Sequence, residues 1–183
     1  MREFVYTHFS HILCLLILSS RLGDIGSTYL VTPNLTLEAN PVAKRLGWRF
    51  AFLTLLLCFV PYYNTSLAII VLVPSLLVSS SNIAKIWVVR SIGEQEYSDL
   101  LLRLAQKGKL FHAISCVLAS QFFMFLFGVM LWLLSPDPLS DWGYWFGFGV
   151  MLYSVVIAFY GSLFFIRLFK KARAATNLLA SND

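Results

Sequence analysis

Two apolar stretches of this chain carry groups that an apolar setting does not hold without help. The first, ending at Val31, contains Arg21 and Asp24 together with Ser20, Ser27 and Thr28. The second, Leu67–Val89, contains Ser75, Ser79, Asn82 and Lys85. With about 3.6 residues per turn, Ser20, Asp24 and Thr28 share one helix face, and Ser75, Ser79 and Asn82 share another. An ionisable side chain at the centre of a membrane helix costs about 2.5–3.5 kcal/mol, so each one calls for a partner or a task. Counting about 20 residues inward puts Asp24 and Lys85 within a turn of the same membrane boundary. That depth leads to the expectation of an Asp24–Lys85 pair facing the bundle interior, as an ion pair or as a proton or ligand site. Two plainer arrangements account for the same residues. Lys85 can snorkel to the interface while Asp24 pairs with Arg21 on its own helix, and polar stripes can join helices with no ligand at all.

A second group of candidates follows at Glu38-Ala39-Asn40-Pro41. Asn is a favoured N-cap and Pro a favoured first helical residue, so this tetrapeptide starts a helix on physical grounds alone. Glu38 adds negative charge at the positive end of that helix. Asp24-x3-Thr28 followed by Glu38-x-Asn40-Pro41 also resembles a small multi-pass membrane family, in which a helix bearing Asp and Thr leads into a Glu-x-Asn-Pro turn. The resemblance covers about Leu22 to Arg90. It implies an architecture rather than a reaction, and the positions it carries over are Asp24, Thr28, Glu38, Asn40 and Pro41.

The elements that must position these residues are set by composition. Of 183 residues, 58% are apolar and 13% charged, whereas soluble domains carry about 45–50% and about 25%. Mean hydropathy is +0.75. A soluble globule of this size cannot hide that much apolar surface, which excludes a disordered chain, a soluble enzyme and a nucleic-acid module. The expected fold is all-α, a polytopic transmembrane bundle forming one domain over 1–183. Its spans are about 4–31, 46–63, 67–89, 110–134 and 144–169, with the first beginning at Phe4 or Phe9. Between the third and fourth, Ser91–Lys109 places Leu100, Leu101 and Leu104 opposite Glu96, Asp99, Arg103 and Lys107. That pattern predicts an amphipathic helix on the membrane surface that contributes little to folding.

With five spans, twelve of the fourteen Lys and Arg residues fall on the side of the 31–46 connection, the interfacial helix and the C-terminal tail. Only Arg2 falls on the other side, and Arg21 lies within the first span. The positive-inside rule then places the N-terminus outside and the C-terminus in the cytoplasm of a cell or inner membrane. Ile12–Leu18 followed by Ser19 and Ser20 has parts of a signal peptide, but apolar character resumes through Ile25–Val31, so the segment is read as a retained span.

Cys14, Cys58 and Cys116 lie in three different spans with no Cys-x-x-Cys, which reads as small buried thiols and no disulfide framework. His8, His11 and His112 have no acidic neighbours and supply no metal site. No cofactor is expected. The sequons at Asn34 and Asn64 read as chance matches. Gly143, Gly147, Ser154, Ala158 and Ser162 form a small-residue face suited to close packing within the bundle. Trp142, Tyr144 and Trp145 read as an interfacial aromatic belt.

The resulting expectation is a protein that binds, or helps to move, a small polar or lipid-headgroup ligand. Its pocket, near the cytoplasmic face, would draw on Asp24, Thr28, Glu38, Asn40, Ser79, Asn82 and Lys85. Two other classes stand beside it: an intramembrane enzyme using Asp24 or Glu38 as acid or base, and a non-catalytic subunit of a membrane complex. The expected partners are the lipid bilayer and another membrane protein, not nucleic acid.

Overall fold

The computed structural model describes residues 8–38, 40–135, 137 and 142–180, the last five by backbone only. Arg2, the Phe4 start of the first span and most of the 135–143 connection lie outside the described residues. Within them the chain is helical, with no strand. In chain order the elements are α1 (Phe9–Val31), α2 (Pro41–Leu46), α3 (Trp48–Leu53), a 3₁₀ segment (Thr54–Tyr62), α4 (Thr65–Ile92), α5 (Glu94–Lys107), α6 (Leu110–Leu133) and α7 (Trp142–Ala180). Four of these, α1, α4, α6 and α7 through Ala175, are long and apolar enough to cross a membrane.

Helix α1 packs on α4, α4 on α7, and α7 on α6. The contacts fix the directions. Leu13 clusters with Ala68, the Ser79 hydroxyl reaches the Ser20 carbonyl at 3.4 Å, and Asn82 bonds Thr28, so α1 and α4 run parallel. Val150 packs on Ile69 and Val73, and Trp142 at the start of α7 stacks on Phe9 at the start of α1, so α7 runs parallel to α1 and α4. Helix α6 runs against them, with Gly128 opposite Gly147 and Val117 opposite Gly161.

Two parallel neighbours need a return connection, and residues 48–62 supply it. Trp48 donates from its indole to the Pro33 carbonyl at 3.3 Å and stacks edge-on against Tyr29. At the other end Tyr62 bonds His11 at 2.8 Å. The segment therefore runs antiparallel along α1 from the level of Tyr29 to that of His11, about 27 Å of α-helix. It does so with fifteen residues because nine of them are 3₁₀, and the longer rise of that form brings the segment to about the same 27 Å. Pro61, with no N–H to donate, sits near the end of this run. Length reckoned on α-helix alone does not reveal this reach.

One end of the bundle is aromatic and the other basic. Phe9 stacks on Trp142 with ring centroids 4.2 Å apart, and Trp132 approaches Tyr144 at 5.7 Å, at the end where Tyr62 lies. Lys44, Arg45, Arg49, Arg90, Lys107 and Lys109 lie in the terminal turns or caps of the helices toward the opposite end, and Lys170, Lys171 and Arg173 in the last third of α7. Helix α7 continues past the expected Phe169 boundary to Ala180, and its added turns carry three of these basic residues.

The amphipathic helix is present, with a correction to its role. Gly93 takes φ +88°, a backbone that glycine adopts freely, so α4 ends and α5 starts at Glu94 rather than near Ser91. Helix α5 is not merely laid on a surface. Ala105 is buried against Phe169 and Ala172 of α7, so the helix shares in the fold.

Glu94 fastens the same helix to the loop after α1. Its carboxylate accepts from the Thr32 and Thr36 hydroxyls, from the Thr36 N–H at 3.1 Å, and from the Asn34 N–H and side-chain amide at 3.2 and 3.0 Å. Burial works to raise this carboxyl, but the hydrogen bonds from Thr32, Thr36 and Asn34 outweigh it and hold the group below the usual carboxylate range. A depressed folded-state pKa contributes stability above the unfolded value and loses it as pH falls through the folded value. Amide exchange at Asn34 and Thr36 is thus expected to be slow at neutral pH and to accelerate only below the ordinary carboxylate range. Glu94→Gln should make the exchange fast and pH-insensitive in that window, beyond the intrinsic exchange rate.

Candidate functional site

Between α1 and α4 the two polar stripes do meet. They are held together by few bonds, because most hydroxyls are satisfied on their own helices. Ser20 donates to the Ile17 carbonyl, Ser75 to Val71 and Ser79 to Ser75, the back-bonding by which a serine in a helix hides its hydroxyl. These serines therefore act mainly as small surfaces that let the backbones approach. Gly23 reinforces the effect, since a Cβ there would lie 3.5 Å from the Ser79 hydroxyl. The firm cross-helix bond runs from the Asn82 amide to the Thr28 hydroxyl, 3.0 Å long. Without a hydrophobic drive between helices in lipid, such contacts and close packing are what associate them.

Asp24 belongs to this seam, and its ionic partner is Arg21 rather than Lys85. The Arg21 guanidinium donates from Nη1 to Asp24 at 3.0 Å. Three residues apart on one helix, the two are within reach by local geometry alone. The expected Asp24–Lys85 pair is not formed. Equal depth does not make two residues face one another, and Lys85 is exposed on α4, with no ion-pair partner among the described residues. Its stem can carry the ammonium part of the way toward the basic end. Arg21 has one unmet need, because its Nε is buried with no hydrogen-bond partner.

The Glu38–Pro41 turn folds as the residue preferences require. Asn40 accepts from the Val42 N–H at 2.9 Å with Pro41 at the first helical position, and the Glu38 carboxylate accepts from the Asn40 N–H at 2.7 Å. Glu38 also lies near enough to Asp24 to act on it electrostatically. Of the candidates, Thr28 and Asn82 meet directly, Ser79 reaches the Ser20 carbonyl on the same seam, Asp24 pairs with Arg21, Glu38 and Asn40 cap one turn, and Lys85 stands apart.

A different cavity escaped the sequence reading. At the basic end a space of about 570 Å³ opens between the α5–α6 turn and α7, lined by Ala105, Gln106, Gly108, Lys109, Leu110, Phe111, Phe169, Ala172 and Arg173. Its walls are apolar where Leu110, Phe111 and Phe169 stand and cationic where Lys109 and Arg173 stand. These two basic residues had been legible only as part of the charge count. Their convergence depends on α7 extending beyond Phe169 and on α5 folding back onto it. A second, apolar groove of about 470 Å³ runs between α6 and α7 past Phe122, Phe125, Ser154 and Ala158.

No family model, curated protein or solved structure matches the chain. Among the described residues, four helices of the bundle are long and apolar enough to cross a membrane, the make-up of a membrane protein.

Proposed function

We propose that the chain is a five-crossing membrane protein, N-terminus outside and C-terminus in the cytoplasm, that binds an anionic lipid headgroup at its cytoplasmic face. The fifth crossing is the 48–62 segment, supported by its run along α1 from the level of Tyr29 to that of His11. The basic end then faces the cytoplasm, as the positive-inside rule requires. The observation that carries the ligand reading is the cavity at that end, where Lys109 and Arg173 stand over an apolar wall of Leu110, Phe111 and Phe169. Basic pockets between helices on the cytoplasmic side suit phosphate-bearing headgroups, with the acyl chains lying against the apolar wall.

The polar residues of α1 and α4 take a supporting part in this reading, as the seam that sets the helix positions. The resemblance to the Asp-x3-Thr, Glu-x-Asn-Pro family is carried here as a proposal about architecture. An enzyme using Asp24 or Glu38 has less behind it, since Asp24 is held by Arg21 and Glu38 by the Asn40 N–H.

Lipid retained by the purified chain, measured by native mass spectrometry, tests the reading. Anionic phospholipid should be kept in preference to phosphatidylcholine, and inorganic phosphate alone should bind far more weakly. At about 1 kcal/mol per basic residue, Lys109→Gln with Arg173→Gln should weaken retention on the order of 30-fold. Undiminished anionic lipid on the double variant would refute the site. Equal binding of inorganic phosphate would make the ligand a soluble anion instead.

A further inference from the structure

At the aromatic end, the fold gathers reactive groups that lie far apart in the chain. Cys58 of the 3₁₀ segment is buried in a cluster with Leu13, Ile17 and Ala68, and Cys14 of α1 packs against that cluster. Both are free thiols, and one cluster at the junction of α1 and the 3₁₀ segment holds them both, near enough for each to act on the other. Tyr62, about one turn beyond Cys58, lies near enough to Cys14 to act on it and shares a 2.8 Å hydrogen bond with His11 Nδ1. His11 is exposed. A line of proton-exchanging groups thus leads from the buried Cys58 through Cys14 and Tyr62 to the edge of the bundle.

We propose that Cys14 and Cys58 are a redox-active pair that closes to a disulfide, fastening the 3₁₀ segment to α1. The shared cluster brings the two thiols to a junction of two elements, and the Tyr62–His11 bond gives their protons a route out. Closure requires a thiolate to form first. In the balanced step each thiol gives up one proton and one electron, and a sulfur–sulfur bond forms. A lipid-soluble quinone takes up both electrons and two protons and leaves as the quinol. Such an oxidant reaches the pair through the bilayer, in which Cys14 and Cys58 both lie if the 48–62 segment is a crossing. The chemistry itself does not depend on the direction of insertion or on the lipid site.

The test treats the full chain, purified under reducing conditions in mild detergent, with a fully substituted benzoquinone that cannot add to thiols. Peptide mapping without reductant should show a Cys14–Cys58 link, an intact mass lower by the two hydrogens lost, and one quinol formed per chain. Cys116, on α6 and exposed, should remain open to alkylation. Cys14→Ser and Cys58→Ser should each abolish both the link and the quinol while circular dichroism stays helical. Tyr62→Phe should keep the link but slow its formation at least about tenfold. Free Cys14 and Cys58 after quinone treatment, or a link made to Cys116 instead, would overturn the proposal.

Discussion

Asp24→Asn should destabilise the bundle by about 3 kcal/mol, because it leaves the Arg21 guanidinium charged and unpaired within an apolar helix. Arg21 has little in reserve, with its Nε already lacking an acceptor. Arg21→Met should harm the fold comparably, by stranding the Asp24 carboxylate. Replacing both, Arg21→Met with Asp24→Leu, should recover most of the loss, since neither charge then remains without its partner. Lys85→Met should stay within about 0.5 kcal/mol, as expected for an exposed group outside any network. Thermal unfolding of these variants in one detergent checks the series. A large effect of Lys85→Met, coupled to Asp24, would restore the cross-helix pair in place of the local one.

Gly147→Ala is the second change with a large expected cost. A Cβ at Gly147 would lie 2.7 Å from the Gly128 carbonyl oxygen and 2.7 Å from the Trp132 nitrogen. Both obstacles are backbone, so no rotamer change relieves them and α6 must move away from α7. Overpacking of this kind costs about 1–3 kcal/mol, and the rigid obstacle puts this site at the upper end. Gly26→Ala is the matched control on α1. Nothing lies within 4 Å of a Cβ there, and removing a helical glycine is worth about 0.5–1 kcal/mol in the stabilising direction. Unfolding temperatures should therefore move in opposite directions for the two substitutions.

The contrast between these sites shows what could be read in the chain. The apolar runs placed the long helices within a few residues, except that α7 runs well past Phe169 to Ala180, because length and hydropathy alone decide whether a segment suits a bilayer. Asn40-Pro41 gave a helix start for an equally local reason, and the small residues of α7 gave a packing face that Gly147 fills against Gly128. Pairing was another matter. Asp24 and Lys85 lie at equal depth, but rotation about the helix axes, set by packing, turned Lys85 outward and left the local Arg21 as partner. Cys14 and Cys58 were read as separate thiols because nothing in their spacing announces that the 3₁₀ segment lies along α1. The Lys109–Arg173 cavity needed two further facts, the extension of α7 and the docking of α5 through Ala105, neither of which periodicity encodes.

In the proposed topology residues 48–62 carry the chain back across the membrane, so that α1, α4 and α7 all point their basic ends to the cytoplasm. A membrane-impermeant thiol reagent applied to intact cells tests it, with native cysteines replaced by serine and single probes at Tyr63→Cys, Lys44→Cys and Lys171→Cys. Tyr63 is 90% exposed at the aromatic end, while Lys44 and Lys171 lie at the basic end on α2 and α7. Position 63 should label in intact cells, and 44 and 171 only after permeabilisation. Equal labelling at 63 and 44 would mean that the segment does not cross.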